Sequence, residues 1–513
     1  MPDPRPAAAA ARPHPAVPQD HAFFGHPRGL STLFFTEMWE RFSYYGMRAL
    51  LLLYMTAPVA AGGLGFDTAR GGAIYGLYTA MVYMTTLPGG WLADRLIGQR
   101  RAVLYGGILI ASGHFCMAFP SLSTFYLGLF LIVIGTGMLK GNVSVIVGRL
   151  YAADDVRRDA GFSIFYVGIN LGAFISPLVC GYLGQRVDWH VGFAAAGVGM
   201  VIGLIQYTLG ARYLGEAGLR PAPAASPEAA VRLRRNVIRW GALALIAVVA
   251  IGAAAFFGVL RVTATELSDA AGVFLLILTI AFFGWLFFAG EWTPSERRRL
   301  YVIGVLFLGA SLFWAAFEQA GSTLNLFADR DTHNLVGGYE FPSSWYQSLN
   351  SLFIFALAPL FAWLWVRLAS ARKEPSSPAK FALGLIFVGA GFAVLIPAAA
   401  LSGRGLQVSP LWLVATYFLH TTGELLLSPV GLSAMTRLAP VRIAGLMMGV
   451  WFLASSVGNY VGGRVSAFYE SWPLPHLFGA VAAFAAVAGL ILLALVPAIR
   501  KMMAREEPAV PSH

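Results

Sequence analysis

The sequence predicts an all-α membrane protein of about fourteen transmembrane helices. Three observations lead there. The chain of 513 residues is 58% hydrophobic and only 12% charged, too apolar for a soluble protein. Apolar segments long enough to cross a bilayer recur along its whole length. The basic residues gather in every second loop between those segments, so the formal charge of +11 reads as a topology signal rather than a nucleic-acid footprint.

Residues 1–29 are rich in Ala and Pro, with no continuous apolar core and no early cleavage site. They are expected to form a disordered cytoplasmic tail rather than a signal peptide. Apolar segments follow at 30–57, 71–94, 101–120, 122–149, 160–184 and 191–213. A polar stretch rich in Ala, Pro, Glu and Arg covers 214–233 and is the natural linker. Segments at 236–260 and 270–290 carry no interior charge and look the same on all sides, as for helices packed against lipid. Six more lie at 300–328, 342–368, 379–402, 408–437, 442–469 and 474–499. The expected organisation is therefore an N-terminal six-helix bundle (30–213), a linker with two inserted transmembrane helices (214–299), a C-terminal six-helix bundle (300–500) and a cytoplasmic tail (501–513).

The alternate loops hold Arg95, Arg100 and Arg101; Arg149, Arg157 and Arg158; Arg212 to Arg239; Arg297 to Arg299; Arg367 to Lys380; Arg437 and Arg442; and Arg500, Lys501 and Arg505. The opposite loops hold few: Arg70, Arg186, Arg261, Arg330 and Arg404. Both termini are expected to be cytoplasmic. The two cysteines, Cys116 and Cys180, sit in separate apolar runs and suggest neither a disulfide framework nor a metal site.

Charges inside the spans carry the functional signal. The first span reads E37-M-W-E40-R41-F-S-Y44-Y45-G46, and each charge there costs about 2.5–3.5 kcal/mol to insert. Glu37, Glu40, Arg41, Tyr44 and Arg48 share one helical face, which must meet protein or water rather than lipid. An internal ion pair is the plain alternative, but so many charges make poor glue. The better reading is a proton or substrate site. Lys140 lies near the middle of the fourth span, about 15 Å from the nearest end, too far to snorkel. It needs a partner or a watery cavity. Tyr166 and Asn170 are one turn apart on the fifth span, where Asn170 could also simply tie helices together. Trp314, Glu318, Ser322 and Asn325 form a further stripe, Gln347 and Asn350 lie on one side of the next span, and His420, Glu424 and Ser428 are spaced i, i+4, i+8. His114 reads first as an interhelical hydrogen-bond partner. For His420 a proton-carrying role stays equally open, because Glu424 is one turn away. Glu37, Glu40, Glu318 and Glu424 outnumber Arg41, Arg48 and Lys140 by one, and a single absorbed proton would balance them.

After the second span the chain reads G90-W-L-A-D94-R95-L-I-G98-Q-R100-R101. This resembles the short cytoplasmic loop signature of the major facilitator superfamily. The segment E37-x-x-E40-R41-F-x-Y44-Y45-G46 is similar to the first-helix signature of the proton-coupled oligopeptide transporter family. F165-Y166-x-x-x-N170-x-G172 resembles that family's fifth-helix signature, and the FWxxxEQ, SLN, GELLLSPVG and MMGVWFL stretches resemble later helices. The resemblance runs from about Ser31 to Arg500 and includes the two inserted helices common in bacterial members.

It implies a major facilitator fold and a multi-pass protein of the bacterial inner membrane. The implied function is a symporter, not an enzyme, that imports di- and tripeptides with protons by alternating access. It implies no cofactor beyond the coupling proton, no metal, no nucleic-acid partner, and function as a monomer in the lipid bilayer. Glu37, Glu40, Arg41, Lys140 and Glu318 would couple the proton. Arg48 and Lys140 would meet the peptide carboxylate. Glu424, helped by Asn170 and Asn350, would meet the ammonium. Tyr44, Tyr45, Tyr83, Tyr166, Trp314, Trp451 and Ser428 would line the pocket. Animal members use a histidine in the second helix that this chain lacks, so proton handling would rest on carboxylates. The chemistry agrees, since a short peptide is a zwitterion and bases in one half with an acid in the other match its two ends. Arg70 after the first span could pair with Asp329 or Asp331 to close the outer mouth. Anion cargo predicts loss of the ammonium-binding acid, yet Glu424 is present. A drug exporter would not need the full E-x-x-E-R motif. A membrane enzyme would need a motif such as H-E-x-x-H or G-x-S-x-G, which is missing.

Overall fold

The computed structural model describes residues 20–152, 154–223, 226–256, 263–440, 443 and 446–503. Most of the expected N-terminal tail, the end of the C-terminal tail, and Arg261, Arg442 and Arg505 lie outside the described residues. The described chain is nearly all helix. In order the helices are α1 (Arg28–Thr56), α2 (Thr68–Met84), α3 (Thr86–Leu92), α4 (Gln99–Met117), α5 (Leu122–Arg149), α6 (Arg158–Arg186) and α7 (Trp189–Gly210). Then come α8 (Pro227–Phe256), α9 (Ala264–Gly284), α10 (Pro294–Phe317), α11 (Thr323–Arg330), α12 (Ser348–Ser370), α13 (Ser377–Ser402), α14 (Leu411–Leu438), α15 (Met447–Val465) and α16 (Leu474–Met503). The helices α2 and α3 continue one segment, as do α10 and α11, so sixteen described helices make fourteen segments.

Eight of the segments pass a test of length and apolarity for crossing a membrane. Two that fail it show why hydropathy alone undercounts. Helix α1 carries Glu37, Glu40, Arg41 and Arg48, and α2 is 17 residues long before it breaks. Charge lowers the score of α1, whereas the segments that carry the single charges Lys140 and Glu318 still pass.

Helix α1 packs on α6 and α7, α4 packs on α5 and α7, and α3 lies on α5. A second group forms where α13 packs on α14 and α16, α10 on α15 and α16, and α12 on α14. The groups meet along two seams, α2 with α15 and α6 with α12. The first seam is a backbone approach. A side chain at Gly463 would run into the backbone of Gly76, so only glycine lets α2 and α15 come this close. Helix α8 begins with a basic stretch, Arg232 to Arg239, before its apolar run, and α9 has little of its surface buried. On α9 only Ser268 and Leu275 are buried, where it lies along α2 and α15, and Asp269 reaches Arg464 of α15 at 3.1 Å.

One end of the molecule gathers the start of α1 with the ends of α5 and α7, where Gly29 touches Tyr213 and Leu150. At the other end the Trp189 indole donates to the Ala61 carbonyl, beyond the Thr56 end of α1, at 3.0 Å. Small outer elements sit there too: a two-stranded antiparallel hairpin, Leu335–Val336 with Tyr339–Glu340, and a 3-10 turn, Ser343–Gln347, that leads into α12.

Candidate functional site

The centre of the site is α1, continuous from Arg28 to Thr56 with no proline inside it. Its turn brings Arg41 onto Glu37: Nη2 and Nε both reach Glu37 Oε1, at 2.7 and 2.8 Å. Glu40 Oε2 lies 3.0 Å from Arg41 Nε, but that N–H is directed at Glu37. Both Glu40 oxygens are buried without a hydrogen bond among the described residues. A carboxylate that close to a guanidinium is partly compensated in charge, yet its lone pairs are unmet, which is costly in a dry interior.

Lys140 of α5 is half-buried and forms no ion pair among the described residues. Its ammonium stands 3.6 Å from the centre of the Tyr83 ring and 5.8 Å from that of Tyr44. A desolvated cation over aromatic faces is stabilised by about 2 kcal/mol, less than a carboxylate partner supplies.

The same face of α1 continues to Arg48, and there the two groups of helices are joined electrostatically. Arg48 Nη2 meets Glu318 Oε2 at 2.7 Å, with both side chains about nineteen-twentieths buried. Arg48 Nε also donates to the Tyr75 hydroxyl at 2.8 Å. Glu318 is placed by a break in its segment: α10 ends at Phe317, a 3-10 turn covers Glu318–Gly321, and α11 begins at Thr323. The expected regular stripe from Trp314 to Asn325 is therefore interrupted at its acid. A broken helix at mid-membrane is tolerated only where protein or a cavity satisfies its backbone.

In the second group Asn350 of α12 donates to Glu424 Oε2 at 2.8 Å and to the Thr421 hydroxyl at 3.1 Å. No cation pairs with Glu424 among the described residues. Trp314 and Trp451 meet edge to face at 6.4 Å, and Tyr44 and Tyr45 do so at 5.2 Å. The Trp314 indole N–H and the Tyr44 hydroxyl are buried without partners among the described residues. Side-chain hydrogen bonds between the groups run from mid-membrane to the Thr56 end. They include Asn325 to the Ala49 carbonyl at 2.8 Å, Ser348 to the Phe174 carbonyl at 2.7 Å and Ser456 to the Ala80 carbonyl at 2.8 Å.

A family model described as the POT family matches residues 100–479. The chain belongs to the POT family. It is 44% identical over 491 residues to an uncharacterised transporter, YclF, of Bacillus subtilis, covering 95% of this chain and 97% of that protein. It is 42% identical to the peptide transporter YePEPT of Yersinia enterocolitica, covering 95% and 97% of the two chains. It is 40% identical to a di-/tripeptide transporter of Lactococcus lactis, covering 94% and 98%. A crystal structure of a peptide transporter POT in complex with sulfate superposes with a TM-score of 0.88 at 44% identity, covering 95% of this chain and 98% of that one. The fold is thus the major facilitator type expected from the sequence. This POT-family chain is a multi-pass membrane transporter and not an enzyme.

Several expected contacts of this POT-family member are not made. Arg70 does not reach Asp329 or Asp331. Its guanidinium lies over the Phe66 ring at 3.7 Å, with the Tyr126 hydroxyl 3.4 Å away. Asp329 accepts instead from Gln185 and Ser343, and Asp331 from Ser402 and Tyr469. The physical reason is that neutral donors already fill both carboxylates. The Asn170 amide donates to the Tyr166 carbonyl one turn earlier, at 3.0 Å. Tyr166 is 42% exposed. Ser428 is half-buried one turn beyond Glu424. His420 makes no bond to Glu424; its ring lies against Phe392 at 5.0 Å and Phe317 at 6.2 Å. His114 meets Ser43 at 2.6 Å, the interhelical contact expected of it.

Sequence reasoning missed Tyr75, Tyr78 and Gln185. Tyr75 and Tyr78 lie three residues apart on α2, and that helical spacing was a usable signal. The Tyr78 hydroxyl is buried without a partner among the described residues. Gln185 had no signal, because a glutamine at the end of an apolar segment looks like ordinary boundary polarity.

Proposed function

We propose that this chain is a proton-coupled symporter that imports di- and tripeptides into a bacterial cell across the inner membrane by alternating access. The observation that carries the reading is the Arg48–Glu318 pair. A buried base is held across the midplane by an acid of the other bundle, on the same helical face as a carboxylate, Glu40, with no hydrogen bond. A cargo carboxylate can replace Glu318 on Arg48, and a proton can neutralise the acid that is displaced. Lys140, resting on Tyr83, is the second base available to that carboxylate. Glu424, held by Asn350 and without a cation, is the acid available to a cargo ammonium. The two ends of a short zwitterion then bind to opposite bundles, and the Trp314–Trp451 and Tyr44–Tyr45 rings offer apolar walls tolerant of varied side chains.

Coupling follows from shared groups. With Glu40 ionised, Arg41 is shared between two acids and Lys140 is drawn toward them. Protonating Glu40 removes that attraction and leaves a base for the cargo. Proton and peptide therefore bias the same rearrangement. The two six-helix bundles rock about the midplane site, and the bonds gathered at the Thr56 end are those that must part when the outer side opens. Both termini are cytoplasmic, the unit is the monomer, and no cofactor is needed beyond the proton. Competition against a labelled dipeptide in proteoliposomes tests the cargo assignment. Free di- and tripeptides should compete, and N-acetylated, C-amidated dipeptides should compete at least ten-fold less well, because each lost charged hydrogen bond costs about 1.5–3 kcal/mol. Equal competition by blocked dipeptides would overturn it.

A further inference from the structure

The carboxamide of Gln185, in the last turn of α6, has both ends engaged by the other bundle. Its Nε2 lies 2.7 Å from Ser343 Oγ and 3.1 Å from Asp329 Oδ1, and its Oε1 accepts from the Ser344 backbone N–H at 3.0 Å. The Ser343 hydroxyl closes the figure by donating to Asp329 Oδ1 at 2.7 Å. The same face of α6 continues inward. Gly181, one turn earlier, leaves space for the Ser344 hydroxyl that any side chain there would occupy. The Trp345 indole donates to the Leu178 carbonyl at 3.1 Å, and the Ser348 hydroxyl donates to the Phe174 carbonyl at 2.7 Å. Positions 174, 178, 181 and 185 fall at i, i+4, i+7 and i+11, one helical stripe.

We infer that Gln185 is the residue that latches the outer mouth, an uncharged clasp by which α6 holds the 3-10 turn Ser343–Gln347 and the start of α12. The inference rests on the alternating-access reading above. When the outer side opens, α6 must leave Ser343, Ser344, Trp345 and Ser348, and the amide must give up every bond it makes to them. The clasp is linked to the cargo site by the chain itself. Asn350, which holds Glu424, comes two residues after Ser348, so seating Ser348 on α6 fixes where Asn350 starts its reach. Closing the outer mouth and presenting Glu424 are thereby one event. A glutamine suits this task because a neutral donor–acceptor pair can be released to water with less penalty than the buried Arg48–Glu318 pair. Arg186 Nη2 reaches the Glu340 carbonyl at 2.7 Å and flanks the clasp on the exposed side.

The test places spin labels at Val59→Cys and Leu406→Cys, exposed outer positions of the two bundles, in the full chain with Cys116→Ser; Cys180 is fully buried. Distances are measured in nanodiscs, in Gln185 and in two variants. Gln185→Met keeps the shape and loses the hydrogen bonds, and should raise the ratio of long to short outer distance about ten-fold or more, as expected for two or three net bonds. Gln185→Glu sets a carboxylate against Asp329. The other charges around it are Arg186 with Glu340 on the same side, Asp188 beyond the helix end, and Arg330, which Glu470 engages at 2.7 Å. This variant should be open at high pH and closed at low pH, where a protonated carboxyl again donates and accepts. That reversal within one sample separates latching from damage to folding. A Gln185→Met distribution like that of the parent, or a Gln185→Glu distribution without pH dependence, would overturn the latch. If the parent chain itself keeps one outer distance with and without a dipeptide and a proton gradient, it is the alternating-access reading that fails.

Discussion

Replacing Glu40 by Gln is the sharpest test of coupling. The side chain is buried against Arg41, and the amide keeps its shape while removing the titrating oxygen. Because Glu40 makes no hydrogen bond among the described residues that the amide would forfeit, the fold should tolerate the change. The functional effect should be large. A neutral peptide carried with one proton moves one positive charge, and a membrane potential of 100 mV adds about 2.3 kcal/mol to its import. At about 1.4 kcal/mol per factor of ten, that drives accumulation by roughly fifty-fold. The assay is uptake of a labelled dipeptide into proteoliposomes under an imposed inside-negative potential, beside counterflow of labelled against unlabelled dipeptide with no gradient. Glu40→Gln should reduce accumulation to the equilibrium level and keep at least part of the counterflow, which needs no net proton movement. If Glu40→Gln and Glu37→Gln both accumulate peptide like the parent, the proton binds elsewhere, with Glu318 the next candidate.

Other outcomes follow from particular contacts. Asn350→Ala leaves Glu424 without its amide donor; the KM for dipeptides should rise about ten-fold or more, as a hydrogen bond to a charged group contributes about 1.5–3 kcal/mol. Tyr83→Leu removes the ring beneath the Lys140 ammonium and should weaken dipeptide affinity by more than ten-fold if that cation–π contact, about 2 kcal/mol when desolvated, sets the lysine's position. Charge reversal at Arg70 should change uptake by less than about five-fold, since the guanidinium has no acid partner among the described residues and surface charges contribute about 0–1 kcal/mol; a large loss rescued by reversal at Asp329 or Asp331 would contradict the observed contacts. Asp269→Asn should leave Tm and uptake nearly unchanged, because its pair with Arg464 is half exposed.

The sequence by itself determined the membrane class, the fourteen segments and the polar face of α1. Helical period and the cost of charge in hydrocarbon are local rules, and they place Glu37, Glu40, Arg41 and Arg48 on one face whatever surrounds it. The ten-residue motif of the first helix and the later helix signatures were enough to reach the POT family, and the comparisons agree. What the sequence could not decide was which partner each polar group chooses, because that depends on helices far apart in the chain. Arg48 chose Glu318, 270 positions away, through a break in helix geometry that a regular 3.6-residue wheel does not contain. Arg70 and Asp329 had the right charges on the right side and did not meet, because neutral donors from Gln185 and Ser343 reached the carboxylate first. His420 sits one turn from Glu424 on the same helix, yet the packing of α13 turns its ring to Phe392. Pairing across a bundle is settled by distances of a few tenths of an ångström in a dry interior, and only the tertiary structure fixes those.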